Sequence, residues 1–293
     1  MYRVSARLAA LAAVFLAFAG HAWAGDSDPG VARATAFGGS CQGCSLSGRK
    51  LTGATFAGGN FSRAVLIGTD LRGASFTGAT FTGADFSRAD LRSASLLSVN
   101  FSGATFTDAR LDGLEGAGAT FVGANLKRAN LTSAQLLGAN FTRATLTDAH
   151  LGGAELVASN FSEVDARHAD FHDGDLTGAK LIGGRFQDAS FRGATLSSAD
   201  LSRGQFAGAD FRDAELEGAR LYGADLSGAH GLTQGQLEEA CGDGATRLPS
   251  GLGALKGCHG VTLRIRLPAI PRPPAPPAPP LPPVSLHHHG SGD

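Results

Sequence analysis

Ala84-Asp85-Phe86-Ser87-Arg88 is followed at once by Ala89-Asp90-Leu91-Arg92-Ser93, and the spacing of these two blocks decides the fold. Taking every fifth residue from Leu46 to Leu226 gives 37 positions, and each is Leu or Phe except Gly116 and Ala166. Two residues before them, at 44, 49, 54 and on to 224, Ala fills 26 of the 37 positions. A short polar residue such as Asp70, Asp85, Asn100, Asn125 or Asn140 precedes the large apolar one, and Ser, Thr or Arg mostly follows it. No insertion or deletion breaks the register. A period of five suits neither a helix (3.6) nor a flat strand (2.0), so the chain turns after every unit. One large and one small inward residue per unit let it wrap a narrow tube, with the large side chain filling the bore and Ala forming the wall.

Blocks such as Ala84–Arg88 and Ala129-Asn130-Leu131-Thr132-Ser133 resemble the pentapeptide-repeat family, over about 190 of the 293 residues. The resemblance implies an all-β fold: a right-handed quadrilateral β-helix, with four pentads in each coil. The residues supply a separate check, because stacked coils of four pentads place i and i+20 on one wall. Phe61, Phe81, Phe101, Phe121, Phe141 and Phe161 then form one column, and Leu51, Leu71, Leu91, Leu111, Leu131 and Leu151 form another on the opposite wall. Beyond these the columns exchange, with Phe171, Phe191 and Phe211 continuing the Leu wall and Leu181, Leu201 and Leu221 the Phe wall. A wide ring facing a narrower side chain keeps the filling volume constant, which accounts for 18 Phe beside two Tyr and one Trp. The two defects obey the same rule. Leu114 stands in the small site before Gly116, and Val164 before Ala166, so each break exchanges large for small. About nine coils at roughly 4.8 Å each make a rod that needs a cap at either end.

The flanks divide the rest of the chain. Residues 1–24 have the form of a signal peptide: Arg3 and Arg7, an apolar run from Leu8 to Gly20, and Ala22-Trp23-Ala24 as a cleavage site leaving Gly25 first. The expected destination is the periplasm or the exterior, where disulfides persist. Residues 25–40 are a Gly-rich linker or loose cap, and 41–230 are the rod. Residues 231–267 are expected to form a C-terminal cap, in which Thr233-Gln-Gly-Gln236 is a capping box opening a helix from Gln234 to about Cys241. The alternation from Val261 to Leu267 suits one short strand on that cap, and 268–293 is a Pro-rich polyproline II tail ending in His287–His289. The four cysteines lie near opposite ends of the rod, so geometry pairs Cys241 with Cys258. Cys41 and Cys44, on the large and small registers, form either a tight disulfide or a pair of buried thiols. The context of a thioredoxin-like redox motif is absent around them.

The chemistry of an enzyme is not visible. A filled solenoid offers flat walls, and no phosphate loop, nucleophile elbow or zinc helix occurs. No cofactor is expected. Asp148, His168 and Asp188, one coil apart in turn, fall on one column and are the one metal or pH-responsive candidate, weighed against an ordinary solvated face. The same stacking rule sets Asp165 against Arg185 and Arg143 against Glu163 as neutralising ladders. The leading expectation is a non-enzymatic exported scaffold for an unknown protein or envelope component. It has no nucleic-acid partner and no transmembrane segment in the mature chain, and pairing of two rods end to end or face to face is open. The resemblance offers an alternative, since some pentapeptide-repeat proteins imitate duplex DNA and bind DNA gyrase. That requires a strongly acidic cytoplasmic rod, whereas residues 45–230 carry 17 Lys+Arg against 20 Asp+Glu.

Overall fold

The computed structural model describes residues 39–258. The signal-peptide, linker, 261–267 strand and Pro-rich tail expectations fall wholly or largely outside those residues.

Each pentad places its backbone groups in a fixed way, shown by Ala84–Arg88. The Ala84 N–H closes a turn onto the Phe81 carbonyl at 3.0 Å. The Asp85 N–H donates to the preceding coil, at Ala64, while those of Phe86 and Arg88 donate to the following coil, at Thr105 and Thr107. The Ser87 N–H is left over, and the Asp85 carboxylate accepts it at 2.9 Å. Asn and Asp recur before the large apolar residue because they can supply this fifth acceptor. Asn100, Asn140 and Asn160 do the same for Ser102, Thr142 and Ser162.

The turn explains the glycines. At every fifth position from 43 to 223 the backbone φ is positive, between 53° and 74°. That region suits Gly, and Gly occupies it at positions such as Gly103 and Gly123. Elsewhere Arg, Asp, Ser, His, Glu or Ala is held there, as at Arg88 and His168. These residues tolerate the conformation because the coils on either side fix the backbone.

Stacked coils pair in parallel, residue i with i+20, from Ser40↔Asn60 to Asp210↔His230. Four such bridges recur in every coil, one per wall. We number the walls by their inward columns: wall 1 holds Phe61, wall 2 Leu66, wall 3 Leu71 and wall 4 Phe76. Along wall 1 successive rings from Phe61 to Phe161 stack with centroids 4.8–5.6 Å apart. The exchange onto wall 3 is equally regular, with Phe171–Phe191 at 5.1 Å and Phe191–Phe211 at 5.2 Å. Nearly all these side chains are fully buried, so coils are held by contact with their neighbours alone.

The defects are filled as volume conservation requires. A Cβ built on Gly116 would lie 2.7 Å from Leu136 Cδ2 and 3.5 Å from Leu114 Cδ1. Leu114 and Val164 are both buried. Two other departures at the small site, Thr69 and Ser159, are buried hydroxyls that donate to the carbonyls of Leu46 at 2.9 Å and Leu136 at 2.7 Å.

Regularity ends at one place. Gly228 lacks the positive φ of the 37 turns before it, and Gly208 N–H reaches the carbonyl of Gly228 where the pattern calls for residue 227. Beyond it, α1 (Gln234–Glu239) opens with the expected reciprocal capping box between Thr233 and Gln236. The helix stops two residues before the expected Cys241. Cys241 instead continues wall 1, bridging to Arg220 and to Lys256, and Ala240 before it is already extended, so the helix ends at Glu239. No helix among the described residues is long and apolar enough to cross a membrane.

Candidate interaction faces

With the bore filled, function is left to the outward side chains, and the four walls treat charge differently. On wall 3, Asp and Arg two residues apart in one pentad form bidentate pairs. Arg72 meets Asp70 at 2.7 and 2.8 Å, Arg92 meets Asp90 in the same way, and Arg212 meets Asp210. The Arg hydrogen bond in each case holds the Asp carboxyl below its ordinary range. Asp165 on wall 2 follows this pattern. It pairs with Arg167 at 2.8 Å, not with Arg185 on the next coil, which corrects the ladder expected from stacking. The in-pentad pair wins because the turn already points residues i−1 and i+1 the same way. Arg143 and Glu163 do meet across coils, at 2.7 Å.

The corner after wall 2 carries Arg88, Asp108, Arg128, Asp148, His168 and Asp188 in one column. Arg128 binds Asp108 at 2.6 Å, and His168 Nδ1 lies 3.8 Å from Asp188 Oδ2, with both side chains more than half exposed. Asp148 is instead near the cations Arg128 and Arg167. Among the described residues no three His, Cys, Asp or Glu side chains are grouped to hold a metal ion. A second His–carboxylate contact, His172 Nδ1 to Asp170 at 2.8 Å, lies on wall 3.

Wall 4 differs from the rest. Its outward residues include Glu115, Glu155, Asp175, Glu215 and Glu217, and no Lys, Arg or His. None of the five has an ion-pair partner among the described residues. Beside them runs a half-buried apolar stripe of Leu97, Ala117, Leu137 and Val157. Wall 1, its neighbour, carries Arg63, Arg143, Lys180, Arg203 and Arg220 against Glu163 and Asp200. The near-neutral total charge therefore conceals a segregated one. Only the four-pentad period assigned to every outward position, not just the inward columns, exposes this in the sequence.

The last coil is closed by side chains as well as by main chain. Gln236 donates to the carbonyls of Phe211 at 3.0 Å and Ala214 at 2.7 Å, while its own oxygen accepts the Thr233 N–H. Thr246 donates to the Leu221 carbonyl at 2.6 Å, and Asp243 accepts the Gly223 N–H at 3.0 Å. That bond keeps the Asp243 carboxyl below its ordinary range. Cys241 and Cys258 stand at disulfide distance, with Cα atoms 5.0 Å apart. Cys41 and Cys44 do so at the other end, at 5.5 Å, partly buried against the core rather than enclosed by it.

Comparison with known proteins follows this geometry. The family model for pentapeptide repeats matches in eight copies, over residues 40–78, 84–114, 117–148, 146–183 and 189–228. Among solved structures, the chain resembles HetL, a pentapeptide repeat protein involved in heterocyst differentiation regulation from the cyanobacterium Nostoc sp. strain PCC 7120. Identity is 30%, covering 65% of this chain and 81% of that one, with a TM-score of 0.39. It also resembles QnrB1, a plasmid-mediated fluoroquinolone resistance protein, at 22% identity over 69% and 91% of the two chains, with a TM-score of 0.48. A pentapeptide repeat protein of the Arabidopsis thaliana thylakoid lumen is 31% identical over 42% and 68%, with a TM-score of 0.17. No curated protein matches. The period of five, the stacked columns and the family match agree, and the chain belongs to the pentapeptide-repeat family.

Proposed function

We propose that the chain is an exported, non-enzymatic scaffold that presents the walls of a rigid, right-handed β-helical rod to a protein of the cell envelope. In this reading residues 1–24 are a signal peptide, 25–40 a loose cap, 41–230 the rod, 231–267 its C-terminal cap and 268–293 a Pro-rich spacer. The carrying observation is wall 4, where an apolar stripe adjoins carboxylates that no cation of the rod neutralises. The partner that fits it is a polypeptide segment with basic and apolar side chains, since opposite charge steers the encounter and apolar area holds the complex. Members of the family are generally scaffolds rather than enzymes, which supports the class of function. The gyrase reading has less support, because on walls 2 and 3 Asp70, Asp90, Asp108, Asp165 and Asp210 are paired with Arg, unlike the phosphates of a duplex.

The test compares two triple variants of equal net charge. Glu115→Gln/Glu155→Gln/Asp175→Asn alters wall 4, and Asp112→Asn/Asp173→Asn/Asp213→Asn alters wall 3. Crosslinking in the intact envelope should recover a basic partner with the wild type and the wall 3 variant, and lose it with the wall 4 variant. Equal recovery from both would overturn the assignment of the face. N-terminal sequencing of the envelope protein should begin at Gly25, and a cytoplasmic chain retaining Met1 would overturn export.

A further inference from the structure

Wall 4 sets an apolar stripe, with Leu137 and Val157 at its middle, beside the exposed carboxylates of Glu115, Glu155, Glu215 and Glu217. The chain itself carries a segment of the opposite character. Residues 259–293 hold Arg264, Arg266 and Arg272 and four His against a single acidic residue, Asp293. Val261, Leu263, Ile265, Leu267 and Ile270 are interspersed with the arginines. This is the mixture of basic and apolar side chains that wall 4 calls for.

The point of attachment and the spacing both suit it. Cys241 and Lys256 extend wall 1 beyond Arg220, so Cys258, paired with Cys241, stands about two coils past Glu215 on the adjoining wall. Arg264 is six residues further on, and about 3.1 Å per residue carries it roughly 19 Å, across two coils and the corner. Five bridges separate Glu215 from Glu115, or about 24 Å at roughly 4.8 Å per coil. Eight residues separate Arg264 from Arg272, and an extended chain covers about 25 Å with them. The two spans agree, and the apolar residues between the arginines fall level with the stripe between the carboxylates.

We propose that residues 264–272 of the chain's own C-terminal segment dock on wall 4, running back along the rod. Arg264 and Arg266 meet Glu215 and Glu217, Leu267 and Ile270 cover Val157 and Leu137, and Arg272 meets Glu115. Tethering gives the segment an effective concentration on the order of millimolar, which a free polypeptide does not reach. The inference rests on the reading of wall 4 as a docking face and adds its regulation, because an envelope partner gains the wall by displacing the tail.

The test measures thiol alkylation rates in the full mature chain. Gln135→Cys places a reporter on wall 4 midway between Glu115 and Glu155, and Thr132→Cys places an exposed control on wall 3 of the same coil. Adding Arg264→Glu/Arg266→Glu/Arg272→Glu should speed labelling at position 135 about fivefold or more and leave position 132 unchanged. Equal rates at position 135 with and without the triple substitution would overturn the proposal. Protection should stay constant over a tenfold range of protein concentration. Protection that grows with concentration would assign the segment to a second copy and overturn docking within one chain. The readout contains no partner, so failure of the envelope crosslinking leaves it standing, and its own failure leaves the crosslinking standing.

Discussion

The two ends of the rod are closed by different means. At the C-terminal end α1, Gln236, Asp243 and Thr246 satisfy the main-chain groups of the last coil one by one. At the N-terminal end the first coil is anchored by Cys41, Cys44 and Leu46, which are only partly buried. A repeat can extend itself because each coil supplies what its neighbour lacks, but it cannot end itself. Ending requires side chains that imitate the missing coil, and such residues interrupt the repeat. The contrast between end and middle, and between the two ends, yields four expected outcomes.

The largest effect belongs to the middle. Phe121→Ala empties a fully buried place in the ring column and should cost about 3–5 kcal/mol in chemical denaturation. Leu46→Ala, in the partly exposed first coil, should cost less than half as much. Equal costs would mean that the ends are packed like the centre. Next come the cysteine pairs. Cys241→Ser/Cys258→Ser opens a closed loop with a sequence separation of 17 and Cys41→Ser/Cys44→Ser one of 3. Loop entropy makes the first worth about 3 kcal/mol and the second about 2 kcal/mol. Mass spectrometry without reductant should find both pairs oxidised, and thermal melts of the two variants should rank them in that order.

Gln236→Leu keeps the side-chain bulk but leaves the Phe211 and Ala214 carbonyls without their donor, at about 1–3 kcal/mol. Hydrogen exchange should then quicken at residues 211–241 and stay unchanged at 41–61. Acid should loosen the same end. Asp225, through its bond from Ser227, and Asp243, through the Gly223 N–H, both have carboxyl pKa values lowered from an ordinary 3.8. A carboxyl with a depressed folded-state pKa contributes stability above its unfolded value and loses it as pH falls through the folded one. Exchange near Gly223 should therefore accelerate below about pH 3.8, after correction for intrinsic rates, with no matching change around Cys41–Asn60. The first carboxylate among the described residues is Asp70, so the described first coil holds no carboxyl group to titrate there.

What could be read in advance follows the same division. The inward register, both ring columns, the exchange near Phe171 and the paired substitutions at Gly116 and Ala166 were legible, because packing a bore of fixed width constrains residue size at every fifth position. The capping box at Thr233 was legible because its signal is local. The outward chemistry was less so. Stacking distance alone set Asp165 against Arg185, but a pentad folds its own Asp and Arg together first. The use of Asp85 or Asn100 as acceptors for the spare N–H, and the positive φ at residues such as Arg88, need the turn geometry and not the period. The bridges of Cys241 to Arg220 and of Arg247 to Asp225 were invisible, since they join the last coils to a segment outside the repeat whose path no periodicity dictates.

The central claim, that one circuit of the rod takes four pentads, is tested by cysteine pairs on the outer surface. Thr80→Cys with Asn100→Cys, joined by a short thiol-specific crosslinker under native conditions, should link rapidly because these residues bridge. Thr80→Cys with Ser95→Cys, and Thr80→Cys with Thr105→Cys, should not, because three or five pentads lead to different walls. Efficient linkage of either of those pairs, or failure between positions 80 and 100, would contradict the coil.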